Sequence, residues 1–138
     1  MKTVPEKILE NDIIDILMDW LKNDGWKIIS FRKFRERGID ILTEKKGQTF
    51  IIEAKGAKGN PENSNTTRPK FDAGQLKTHL GVAVIKVLEE RIKCPGSQIA
   101  IAHPDVPYIR SVISPVIPEF EKLGIRFLWV NTKSKRVQ

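Results

Sequence analysis

Cysteine is all but missing from this chain: Cys94 is the one thiol among 138 residues. Neither an internal disulfide nor a cysteine zinc cluster can therefore form, and the chain reads as cytoplasmic. Cys94 itself is expected to be a buried structural thiol. Long apolar runs are missing too, and with them any candidate membrane span. The first residues, Met1-Lys2-Thr3-Val4-Pro5-Glu6-Lys7, run straight into a charged segment and lack the apolar core and small-residue cleavage site of a secretory leader. Internal repeats and shifts of composition are absent as well, so a single domain over 1–138 is expected.

What is present is charge, mostly of one sign. Lys and Arg number 24 against 17 Asp and Glu, a net charge of +7, and the pI is about 9.6. Such a balance points toward a nucleic-acid partner. The basic residues cluster: Lys27, Arg32, Lys33, Arg35 and Arg37 in one stretch, Lys58, Arg68, Lys70 and Lys77 in another, and Lys133, Lys135 and Arg136 near the end. The last group is read as a solvated tail. With 40% hydrophobic and 30% charged residues, the composition is that of a globular protein.

Periodicity outlines the elements. Leu9, Ile13, Leu17, Trp20 and Leu21 recur at helical spacing over roughly 5 to 23, and Asn23-Asp24-Gly25 is a stop signal. Residues 26 to 34, 39 to 44 and 48 to 55 read as strands, the last two joined by a turn at Lys45-Lys46-Gly47. From 56 to about 69 Gly, Asn, Pro, Ser and Thr dominate, which marks a long, functional or mobile loop. Leu76, Leu80, Val84, Val87 and Leu88 then trace a helix ending near Cys94-Pro95-Gly96. A short strand over 97 to 102 is expected to break at His103-Pro104. A helix over 108 to 123 must be interrupted at Pro115 and Pro118, and a last strand covers 125 to 130. The order α-β-β-β-α-β-α-β implies a mixed sheet flanked by helices, since short turns join antiparallel strands and helical crossovers join parallel ones.

Chemistry concentrates in Gly38-Ile39-Asp40-Ile41-Leu42 and Phe50-Ile51-Ile52-Glu53-Ala54-Lys55-Gly56. Alternation along a strand puts Glu53 and Lys55 on one face. If residues 45 to 48 form a four-residue loop, Glu44 pairs with Thr49 and Asp40 falls opposite Glu53. A slip of one residue would separate them. Facing carboxylates repel unless a cation lies between them, and oxygen donors without nearby His or Cys favour Mg²⁺ or Mn²⁺ over zinc. Such an ion polarises a phosphodiester oxygen and acidifies water, while Lys55 orients that water or offsets charge on phosphorus. A bare D…ExK pattern occurs by chance in many edge strands. The apolar flanks Ile39, Ile41, Leu42 and Phe50, Ile51, Ile52 instead imply inner strands, where unpaired charges are costly.

On these residues the chain resembles the PD-(D/E)xK, or restriction-endonuclease-like, superfamily of nucleases over roughly residues 5 to 103. Asp40 matches the family's first acid, Glu53 its second and Lys55 its lysine; Ile39 stands where the proline of the motif's name would be. The resemblance implies a core of order αβββαβ, here with an extra α-β at the C-terminus. It further implies a metal held by Asp40, Glu53 and the carbonyl of Ala54. Two accessory positions follow from it: Gln75, where several branches carry a glutamine near the site, and Glu10, as an acid of the first helix, with Glu6 the competing candidate. His79, one turn after Gln75, is a possible phosphate contact, whereas His103 is expected to make a turn hydrogen bond. Trp20, Trp26, Phe31, Phe34 and Trp129 are read as core.

The leading expectation is a Mg²⁺- or Mn²⁺-dependent endonuclease hydrolysing DNA, with a homodimer plausible by analogy. The alternative is a catalytically silent nuclease-fold subunit that binds DNA within a restriction, recombination or mobile-element system. A protein-interaction module with an incidental basic surface is the third reading.

Overall fold

The computed structural model describes residues 10–31, 38–56 and 72–138. Glu6, Phe34, the basic run Arg32 to Arg37, and the loop with Lys58, Arg68 and Lys70 lie outside the described residues. The first helix, α1 (Glu10–Asn23), buries Ile13, Ile14, Ile16, Leu17 and Leu21 on one face, the spacing that periodicity demands. It ends in a Schellman-type cap: Gly25 at φ +90° donates its N–H to the Lys22 carbonyl and Trp26 donates to that of Leu21.

Among the described residues, six strands follow in one mixed sheet, ordered in space as in the chain. β1 (Lys27–Phe31), β2 (Ile41–Lys45) and β3 (Gln48–Ala54) are antiparallel neighbours. The helix α2 (Ala73–Lys93) leads to β4 (Gln98–Pro104), parallel to β3, and β5 (Ile125–Asn131) lies parallel to β4. The short strand β6 (Arg136–Val137) closes the far edge antiparallel to β5. Between β4 and β5 the expected single helix is three pieces: α3 (Pro107–Ile113), a 3₁₀ turn at Ser114–Val116 and α4 (Ile117–Glu121). Pro115 and Pro118 each stand second in a new piece, because a proline lacks the N–H that would continue the helix before it.

Register assigns the two faces. Glu53, Ile101 and Phe127 share one face, whereas Ile52, Ala100 and Arg126 share the other. The Glu53 face is covered by α2, whose Lys86 reaches Glu53, and by α3 and α4, through Arg110 on Trp129 and Phe120 on Phe127. The opposite face holds Phe50 under Trp26, ring centroids 5.3 Å apart, and is packed by α1, which contacts β1, β3, β4, β5 and β6. No helix among the described residues is long and apolar enough to cross a membrane.

Several expectations are corrected. Cys94 is exposed at the C-terminal cap of α2, since the helix ends there in solvent. Phe31 is 44% exposed because β1 is an edge strand, with a bulge at Ile29. β4 continues through His103 and Pro104; Pro104 is the last residue of the strand, where a missing N–H is tolerated.

Candidate active site

The hairpin between β2 and β3 determines where the acids stand. Its turn is two residues long, Lys46 and Gly47, both at positive φ (50° and 80°). This is the primed geometry that matches strand twist. Lys45 pairs with Gln48 and Glu44 with Thr49, so the loop is shorter than the four residues expected while the register is the same. Continuing that register one step beyond Ile41 and Ile52 sets Asp40 against Glu53. Backbone bonds lock the arrangement: Ala54 N donates to Asp40 Oδ2 at 2.8 Å and Asp40 N to Glu53 Oε1 at 3.4 Å.

Both acids are buried, Asp40 6% and Glu53 1% exposed. Two ionised carboxylates side by side in such a place are costly without cations. Among the described residues Glu53 has two of them: Lys86 Nζ lies 2.7 Å and Lys55 Nζ 3.7 Å from its Oε2. Asp40 takes the other route. Burial, with Glu53 and Glu10 adding to it, pushes its carboxyl up to about 8, against the Ala54 N–H and Lys86, which pull it down. Glu10 belongs to the same electrostatic neighbourhood. Burial raises its carboxyl from the ordinary value, Lys55 and Lys86 oppose the shift, and Glu53 reinforces it.

Asp40, Glu53, Ala54 and Lys55 are thus brought together, with Glu10 within electrostatic range of Glu53 and Lys55. Among the described residues, however, no group of three or more His, Cys, Asp or Glu side chains is arranged to hold a metal ion. Gln75 is placed in a capping box at the start of α2. Its side-chain oxygen accepts from Asp72 N at 3.0 Å, and its own N donates to Asp72 Oδ1 at 2.8 Å. His79 is half-buried one turn further on, its imidazole pushed below the usual value by burial and then by Lys55.

Two residues escape sequence reasoning. Lys86 is the one charge between Lys77 and Glu89, next to the buried Ala83 and Val87 on α2. A lone cation on the apolar side of a helix was the available signal. His103 was expected in a turn bond, yet it is 2% exposed, with Nδ1 lacking a hydrogen-bond partner among the described residues. Its ring stacks on Phe127, centroids 6.4 Å apart, and tilts against Trp129 at 5.9 Å. Burial, then Lys55, pushes its imidazole down to about 3. Lys55 N donates to the Ala102 carbonyl at 2.9 Å, so the two strands carry Lys55 and His103 side by side on the Glu53 face.

No family model matches the chain, and no curated protein matches it in sequence. Two solved structures resemble it. One is a XisH family protein from Nostoc punctiforme, with a TM-score of 0.60 and 16% identity over 92% of this chain and 96% of that one. The other is an fdxN element excision controlling factor protein from Anabaena variabilis, with a TM-score of 0.51 and 19% identity over 93% and 96% of the two chains. At these identities the likeness is one of fold.

Proposed function

We propose that this chain is a nuclease-fold component of a DNA recombination or mobile-element excision system and that it works on DNA. The observation that carries this reading is the fold likeness, over nearly the whole chain, to two proteins of which one is named for control of element excision. The net charge of +7 suits a polyanionic partner.

A second reading is favoured by the Asp40, Glu53 and Lys55 patch: the component cuts DNA itself, as a Mg²⁺- or Mn²⁺-dependent endonuclease. The chemistry of the donor set fits such an ion. Asp40 and Glu53 offer two carboxylates, the Ala54 carbonyl a further oxygen, and the ammonium of Lys86 marks a position on Glu53 where a cation is accepted. Bound there, the ion would supply Lewis-acid polarisation of the phosphodiester. The chain's own part is geometric and electrostatic. The Ala54 N–H orients Asp40, the paired strands hold Glu53 across from it, and Lys55 places positive charge beside the acids, where a phosphate would gather charge during attack.

The two readings separate in one experiment. Linear, supercoiled and branched DNA are incubated with the protein, with and without Mg²⁺, beside Asp40→Ala and Lys55→Ala. Metal-dependent cutting lost in both variants establishes the endonuclease. DNA binding that is indifferent to both substitutions, with no substrate cut, leaves the catalytically silent component. No DNA binding at all would sink both.

A further inference from the structure

Glu53 is the most buried acid of the patch, and its Oε2 is committed to an ammonium that comes from a different element. Lys86 reaches it at 2.7 Å from α2, whereas Lys55, its neighbour on the same strand, stays at 3.7 Å. The Lys86 side chain is 36% exposed against 14% for Lys55, so Lys86 has an open path back to solvent and Lys55 has far less. A partly exposed ammonium docked on Glu53 Oε2 occupies the place that a divalent cation at that oxygen would need.

We propose that Lys86 is a built-in competitor of the divalent cation at Glu53. It neutralises the buried carboxylate while no metal is bound and must swing out before the ion can use Oε2. This inference rests on the reading of Asp40 and Glu53 as a metal site. The exchange breaks an ion pair and forms a carboxylate–metal bond, with no covalent change. Its consequence is a site whose metal affinity is set by α2 as much as by its own acids. Any anion that draws the ammonium away eases loading of the ion.

The test is direct binding of Mn²⁺, followed by the paramagnetic signal of the free ion, for the unaltered protein, Lys86→Met and Lys86→Arg. Removing the ammonium that the ion must displace from Oε2 is expected to tighten Mn²⁺ binding on the order of tenfold in Lys86→Met, whereas Lys86→Arg stays within about twofold of the unaltered protein or weaker, since its cation remains. A second readout needs no substitution. Acylation of lysines, located by mass spectrometry, should show Lys86 becoming more reactive when Mn²⁺ is added, because the ammonium has been released. If Lys86→Met binds Mn²⁺ equally or more weakly and Lys86 labelling ignores the metal, the competitor idea is overturned while the metal site stands. If neither the unaltered protein nor Lys86→Met binds Mn²⁺, the metal reading fails and takes the inference with it.

Discussion

A histidine walled in by Phe127 and Trp129 has a defined response to acid. In the folded chain the His103 imidazole is pushed from 6.5 down to about 3, so between those values the unfolded chain takes up a proton that the folded chain refuses. Stability therefore falls as pH drops through that window, by up to ~1.4 kcal/mol per pH unit from this residue. Urea unfolding from about pH 7 to about pH 4 should show a shallower loss in His103→Leu than in the unaltered protein. A gap between the two that stays constant with pH would refute the assignment. His103 also marks a limit of sequence reading. Asp40, Glu53 and Lys55 were legible because strand alternation and a short turn fix their relation within sixteen positions. Lys86 and His103 reach the same patch only through the packing of α2 and the parallel pairing of β4 on β3, and neither is encoded by local spacing.

The turn and the caps can be tested at the level of elements. Gly47 sits at φ 80° with nothing within 4 Å of a Cβ built there, so Gly47→Ala should cost about 1–2 kcal/mol through backbone strain alone. The loss is measured as a shift in the denaturation midpoint at unchanged slope. At the head of α2, Asp72→Ala should cost about 1 kcal/mol by removing the cap on Gln75 N. Gln75→Glu keeps the capping box, which makes it the informative change. If the protein cuts DNA as proposed, normal stability with unchanged cutting would confine Gln75 to its structural task. Normal stability with impaired cutting would give it a part in the chemistry. Most element boundaries were readable because apolar periodicity and Gly or Pro stops are strong signals. The exceptions are positions where tertiary context decides: Pro104 ends an inner strand instead of breaking it, and Phe31 lies outward on an edge.

Across the whole molecule, charge and topology set the expectations. If DNA is held through on the order of five phosphate contacts, the binding constant should fall with salt at a log–log slope of roughly −4 to −5, measured by fluorescence anisotropy of a labelled duplex. A slope near zero would remove the electrostatic basis for a DNA partner. The mixed sheet was foreseeable from the order of hairpin and crossover connections. The biological system was not, because neither a basic net charge nor a patch of two acids and a lysine specifies one.

The turn at Lys46 and Gly47 finally has a consequence in time. β2 and β3 close over two residues, and a hairpin of this kind forms in about 1–10 μs, whereas joining β3 to β4 must wait for the segment that contains α2 to be ordered. Asp40 and Glu53 are therefore expected to come face to face early in folding, and Lys86 late. Rate measurements should separate the two events: Gly47→Ala should chiefly slow folding, and Lys86→Met chiefly speed unfolding.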